Sequence, residues 1–153
     1  MAIQAGSVSA TTGSPLVITG TLSSATAVAV YHFTSDDSGG LTNTNPYHVS
    51  ITFTQPTTNT EFVMDVIRGA VCTDAPVGAT TDVTSYDWCV DATSATAGEA
   101  PCGPTAVHHC TDESSDYYIR VYRAAGVTPT CTTYELTVSG NSAAVCDLTQ
   151  SCM

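Results

Sequence analysis

The segment YHVSITFT, residues 47–54, alternates apolar and polar side chains without interruption. One side of it carries tyrosine, valine, isoleucine and phenylalanine, and the other carries histidine, serine and two threonines. A period of two residues is the pattern of a β-strand that buries one face. The segment therefore predicts a strand, and its period, which recurs along the chain, predicts an all-β fold.

The same alternation recurs in residues 117–122 and in residues 133–138. Further segments are rich in β-branched and aromatic residues and are bounded by turn residues. These further predicted strands are Leu16–Leu22, Thr26–Thr34, Glu61–Arg68 and Ser85–Val90. Together they predict an antiparallel β-sandwich of about seven to nine strands.

Stretches rich in glycine, proline, alanine and small polar residues interrupt these strands at residues 35–45 and 91–110, and both are expected to be loops. The chain length of 153 residues fits a single domain. We expect an N-terminal strand or arm at residues 1–14, a sandwich at 15–140 and a cysteine-containing C-terminal tail at 141–153.

The charge balance excludes several classes of partner. The chain has three arginines, no lysine and fourteen acidic residues, giving a net charge of −11. Nucleic acids and anionic membrane surfaces recruit cationic side chains, so neither is an expected partner. No long apolar run and no signal sequence is present, so membrane insertion is not expected.

Seven cysteines in so short a chain predict an oxidising, extracellular compartment and a disulfide-stapled fold. We favour Cys72–Cys89 and Cys102–Cys110 as pairs, while the remaining connectivity stays open and one thiol is left over. The Cys72–Cys89 bridge would stabilise the domain by about 3 kcal/mol in the chain-entropy model, and Cys102–Cys110 would staple the long loop. The cysteines are Cys72, Cys89, Cys102, Cys110, Cys131, Cys146 and Cys152.

A zinc site is the competing interpretation for Cys102, His108, His109 and Cys110. Structural zinc sites usually draw their ligands in spaced pairs, and three adjacent side chains cannot easily point at one ion. Disulfides are therefore the preferred interpretation.

Two longer segments resemble the bacterial pre-peptidase C-terminal domain family. These are VITGTLSSATAVAVYHFT, residues 17–34, and YYIRVYRAAGVTPTCTTYELTVSG, residues 117–140. The resemblance implies a jelly-roll-like sandwich that closes with a hairpin, occurs as an accessory module of secreted proteases or in surface proteins, and carries no catalytic residues. Some such domains hold calcium through acids near their N-terminus, but the first acid here is Asp36, so that site is not carried over.

Two acidic segments could still pool oxygen ligands for calcium: Asp36 with Asp37, and Asp112 with Glu113 and Asp116. Calcium takes six to eight oxygen ligands, and neither segment has the spacing of a self-contained loop. The alternative is that these are solvated loop acids.

No catalytic motif is present: there is no G-x-S-x-G and no H-E-x-x-H. His32 and His48 are expected to be ordinary strand residues. The chain is therefore not expected to be an enzyme.

Tyr118, Arg120 and Tyr122 share the polar side of a predicted strand and could form a binding platform for a sugar or a peptide. The alternative is that both faces of this strand are covered, or that Arg120 pairs with Glu135 across a hairpin.

Two classes of function fit these observations. The first is a structural or adhesive subunit of an extracellular fibre that self-associates, because the uncharged segment Ala2–Val8 could add as a strand to an exposed sheet edge. The second is an accessory module that targets a secreted hydrolase to an extracellular protein or polysaccharide.

Overall fold

The computed structural model describes residues 1–9, 13–36, 47–69, 80–90, 99–100 and 114–140. Among these residues no helix is long and apolar enough to cross a membrane. The strands are β1 (Ile3–Ser9), β2 (Leu16–Thr21), β3 (Ala29–Asp36), β4 (Tyr47–Gln55), β5 (Phe62–Arg68), β6 (Thr80–Val83), β7 (Ser85–Val90), β8 (Glu99–Ala100), β9 (Ser115–Arg123) and β10 (Thr133–Gly140).

The strands form two five-stranded sheets. Sheet A has the order β1-β3-β9-β5-β6, and sheet B has the order β2-β10-β4-β7-β8. The two sheets bury their inner side chains against each other, so the predicted all-β sandwich is confirmed. The prediction that every strand is antiparallel is wrong, because β1 runs parallel to β3.

The core is built from the apolar positions of the alternating strands, as the period of two predicts. Aromatic rings pack within and between the sheets. The ring centres of Phe33 and Tyr117 lie 4.9 Å apart within sheet A, and those of Tyr86 in sheet B and Tyr117 in sheet A lie 6.3 Å apart. Fully buried side chains include Phe33, Val49, Ile51, Phe62, Met64, Val66, Tyr117, Ile119, Val121, Tyr134, Leu136 and Val138.

The predicted closing hairpin is wrong. Strand β9 pairs with β3 and β5 in sheet A, whereas β10 pairs with β2 and β4 in sheet B. The connection between them therefore crosses from one sheet to the other. Short strand β6 was not predicted, and β8 lies inside a stretch predicted to be a loop, because neither has enough residues to show a period.

A buried ion pair fixes the connection between β9 and β10. Arg123 pairs with Glu61, and both are less than one-tenth exposed. Arg123 also donates to the carbonyl oxygens of Leu22 and Thr130, at 2.9 and 2.8 Å. Glu61 accepts hydrogen bonds from the backbone N–H and the hydroxyl of Thr130. The pair thus ties this connection to the ends of β2 and β5.

Candidate functional site

The N-terminal strand β1 lies at an edge of sheet A. Ile3 is opposite Tyr31, and Ser9 is opposite Asp36. The register shifts between Gln4 and Gly6, and Gly6 has a φ of 123°, a conformation that side chains disfavour. Within the described part of the chain no strand pairs with the outer edge of β1, so its backbone groups face outward on that side.

Strand β1 is held mainly by backbone pairing. Val8 is buried and Ala5 packs against the core, whereas Ile3 is 56% exposed. A side-chain contact also joins the strand to β3, because Nδ1 of His32 lies 2.7 Å from Oε1 of Gln4. Since backbone pairing depends little on sequence, an equivalent strand could occupy the same edge.

The outer face of sheet A carries the predicted platform. Neighbouring register positions place Gln4, His32, Tyr118 and Ile67 in one row across four strands. The rings of His32 and Tyr118 are 4.7 Å apart and tilted by 36°. Tyr118 is half-buried on the central strand β9, packs beside His32 of β3 and keeps part of its side chain exposed to solvent.

The other two platform residues belong to a polar network. Arg120 pairs with Asp65 at 2.6 Å, so the predicted pairing with Glu135 is wrong. Tyr122 lies within hydrogen-bonding distance of Asp65 and Asp82, at 2.5 and 2.7 Å. Burial, reinforced by both carboxylates, raises the pKa of Tyr122 well above its usual value.

This network explains why the carboxylate of Asp65 can be buried in the middle of a β-strand. Its Oδ1 accepts from Tyr122 and from the backbone N–H of Asp82, and its Oδ2 accepts from Arg120. Buried carboxylates are retained where such partners satisfy them. Arg120 and Tyr122 are thus committed to this network, and Tyr118 is the platform residue that lies outside it.

The acidic ends of β3 and β9 meet. Because β3 and β9 pair with Ser35 opposite Ser115, their antiparallel register brings Asp36 and Asp116 to the same end of sheet A. Asp116 Oδ1 accepts a hydrogen bond from Nε2 of His32 at 2.8 Å. A cavity of about 300 Å³ lies here, lined by Thr34, Ser35, Asp36, Ser114, Ser115 and Asp116.

Three members of the predicted calcium set, Asp37, Asp112 and Glu113, lie outside the described residues. Among the residues that are described, no three histidine, cysteine or acidic side chains converge. Two of the five predicted ligands are therefore brought together, and the rest of the described lining consists of hydroxyl-bearing residues.

A second histidine–aspartate pair lies on the outer face of sheet B. Nε2 of His48 is 2.9 Å from Oδ1 of Asp87, and this hydrogen bond holds the pKa of Asp87 below its usual value. Ser50 also bonds to the Asp87 carboxylate. His48 and Ser50 both contact the carboxylate. In a catalytic triad the serine nucleophile would instead contact the imidazole that acts as its base, so this geometry is not that of a triad.

Cys131 has an exposed free thiol, and the described residues contain no disulfide. Cys131 lies between β9 and β10, at the opposite end of the sandwich from Cys89 at the end of β7. The sequence predicts one unpaired thiol without saying which, and a free Cys131 is compatible with that prediction. Five other cysteines lie outside the described residues: Cys72, Cys102, Cys110, Cys146 and Cys152. The histidines of the alternative zinc set, His108 and His109, also lie outside them, and Cys89 is described only in its backbone.

Sequence reasoning missed Gln4 and Asp65. Gln4 is a neutral polar residue in a strand, and nothing in its spacing distinguishes it. Asp65 carried a usable signal, since it is an acid inside an apolar strand, where a buried carboxylate needs partners.

Comparisons with protein-family models, with curated proteins and with solved structures found no match for this chain. The functional conclusion therefore depends on the geometry and chemistry of the described residues.

Proposed function

We propose that this chain is a non-catalytic, secreted structural or adhesive module that builds an extracellular fibre by strand addition. In this proposal the domain is a jelly-roll-like, disulfide-stapled sandwich of the pre-peptidase C-terminal type. The high cysteine content and the hydroxyl-rich composition with few charged residues support an extracellular location.

The observation that carries the proposal is the position of β1. It is an edge strand, it runs parallel to β3, and its neighbour in sequence, β2, lies in the other sheet. Its sequence is uncharged, and Val8 is its buried side chain. A strand so placed can occupy the β3 edge of its own domain or that of a second copy with the same backbone pairing.

Exchange of β1 between copies would give an open chain. The donor segment and the acceptor edge are different surfaces of the molecule, so each subunit would receive one strand and give another. Such a head-to-tail contact gives an open filament unless the rotation between successive subunits closes the assembly into a ring. No lysine occurs in the chain to block pairing at exposed sheet edges.

The test is removal of residues 1–9, with particle mass measured by analytical ultracentrifugation. The proposal expects the full chain to sediment as a series of multimers and the truncated chain to sediment as a folded monomer. A control variant lacking only Met1 and Ala2, which precede the strand, should assemble normally. If the chain without residues 1–9 gives the same particle masses as the full chain, the proposal is wrong.

The alternative function, targeting of a hydrolase to protein or polysaccharide, is supported by the solvent-facing part of Tyr118 beside Arg120. Tyr118→Ala should then abolish retention on the relevant fibrous protein or polysaccharide, while Thr19→Ala on the outer face of sheet B should not. Retention that is unchanged by Tyr118→Ala would remove this alternative.

A further inference from the structure

The imidazole of His32 lies between two oxygen acceptors on the outer face of sheet A. Its Nδ1 is 2.7 Å from Oε1 of Gln4 on β1, and its Nε2 is 2.8 Å from Oδ1 of Asp116 on β9. The side chain is 15% exposed, and its ring packs beside that of Tyr118. Both ring nitrogens are therefore engaged with the two strands that flank β3.

Only the protonated ring satisfies both contacts as they stand. A carboxylate oxygen and an amide carbonyl oxygen accept hydrogen bonds and cannot donate them. Neutral imidazole carries one N–H, whereas imidazolium carries two. If the neutral ring keeps its N–H at Nε2 for Asp116, the lone pair of Nδ1 faces Oε1 of Gln4. The contact with β1 would then have to open, or the amide of Gln4 would have to rotate.

The charges around His32 favour its cationic form. Strand β1 contributes no charged side chain. The charged or titratable side chains on this face of β3 and β9 are Asp36, Asp116, Tyr118 and Arg120. Arg120 already pairs with Asp65, so its positive charge is offset. The two aspartates leave the surroundings of the imidazole negative, which stabilises a positive charge on the ring.

We propose that His32 is a proton-controlled latch for strand β1. As imidazolium it donates to Gln4 and to Asp116 at the same time, and hydrogen bonds with an ionised partner are roughly twice as strong as neutral ones. After loss of a proton the ring keeps its bond to Asp116, and its hold on Gln4 weakens. Histidine changes its charge between about pH 5 and 8, so β1 is held more tightly at acid pH and is released more readily as the pH rises.

The latch controls whether the β3 edge is open. When β1 leaves, its backbone groups and those of β3 lose their partners, and each strand can pair with another one. The same side chains meet whether β1 pairs with β3 of its own domain or of a second copy. The latch therefore does not depend on strand exchange, and it can hold even if exchange does not occur.

The test is amide hydrogen exchange of the full chain at about pH 5 and about pH 7.5, with each rate divided by the intrinsic rate at that pH. The proposal expects the protection of Ile3–Ser9 to be about threefold or more higher at the lower pH, relative to that of β10 in the other sheet. Gln4→Met removes the acceptor and should abolish this pH dependence. His32→Gln should abolish it as well, because an amide does not titrate in this range.

The matched control is His48→Gln, which removes the histidine that contacts Asp87 on sheet B. This variant should keep the pH dependence of β1. Equal relative protection of β1 at both pH values in the parent chain would overturn the proposal, and so would a pH dependence that persists in Gln4→Met. Should His32→Gln fail to fold, Gln4→Met, which changes an exposed side chain, decides the outcome.

Discussion

Nδ1 of His32 lies 2.7 Å from Oε1 of Gln4, so a side chain of β3 holds the edge strand β1. The other ring nitrogen of His32 contacts Asp116 of β9 at 2.8 Å. One imidazole thus connects three neighbouring strands of sheet A. The attachment of β1 depends on this contact, on the burial of Val8 and on backbone pairing.

The variant Gln4→Ala should loosen β1 without unfolding the domain. Loss of one side-chain hydrogen bond is worth about 1 kcal/mol, which predicts roughly fivefold faster amide hydrogen exchange across Ile3–Ser9. Exchange in β9 should be unchanged. The control is Ser7→Ala, at an exposed position of the same strand. Equal exchange rates in Gln4→Ala and the parent chain would show that the contact does not hold the strand.

The buried ion pair of Arg123 and Glu61 should dominate the stability of the β9–β10 connection. Arg123→Met leaves Glu61 buried without its cation and is expected to lower the free energy of unfolding by about 3–5 kcal/mol. Arg120→Met leaves the buried Asp65 with its other two partners, Tyr122 and the backbone N–H of Asp82, and should cost less, about 1–3 kcal/mol. Denaturant unfolding of both variants makes the comparison, and equal losses would contradict it.

Gly20 is required by two tyrosine hydroxyls. A β-carbon at this position would lie 2.7 Å from Oη of Tyr31 and closer still to Oη of Tyr134, and these two hydroxyls are 2.6 Å apart. Gly20→Ala should therefore destabilise the domain by about 1–3 kcal/mol through overpacking. In the double variant with Tyr134→Leu, which removes both the Oη and the Cζ that the β-carbon would meet, the measured loss should be smaller than the sum of the two single losses. Strict additivity would refute the clash.

Stability should fall at alkaline pH. Burial, and then hydrogen bonding to Tyr31, raises the pKa of Tyr134 far above the ordinary value of 10.0, and burial with two carboxylates does the same for Tyr122. A group whose folded pKa is raised contributes stability that is complete below the unfolded pKa and is lost as the pH rises toward the folded pKa. Urea unfolding should therefore show a decline above about pH 10 that is shallower in Tyr134→Phe and Tyr122→Phe. An identical decline in the parent and both variants would contradict this assignment.

The sequence predicts strand positions well where burial alternates. Val49, Ile51 and Phe53 are buried as the period of β4 requires, and the same holds for β9 and β10. Periodicity shows which face of a strand is buried but does not specify its partner. The pairing of β9 with β10 is implied by the family resemblance and not by periodicity, and in the structure the two strands lie in different sheets.

The sequence identifies candidate acidic and basic residues by type, but it does not show which of them meet in space. Asp36 and Asp116 are eighty residues apart, and the pairing of β3 with β9 brings them to one cavity. The partner of Arg120 proved to be Asp65 of β5, because strand order in space determines which charges meet. No local pattern in the sequence records that order.

The most direct test of strand addition asks whether β1 of one subunit pairs with β3 of another. Ser7 and Thr34 are register partners at exposed positions, so Ser7→Cys and Thr34→Cys are made on separate chains, each also carrying Cys131→Ser to remove the exposed thiol. The two chains are co-expressed and oxidised, with Ser7→Cys and Thr19→Cys as the control pair. Strand addition predicts a disulfide-linked dimer of the two chains that is absent from the control. Two results together would show that each β1 stays in its own domain and would contradict strand addition. The dimer would be absent, and a single chain carrying both Ser7→Cys and Thr34→Cys would form an internal bridge.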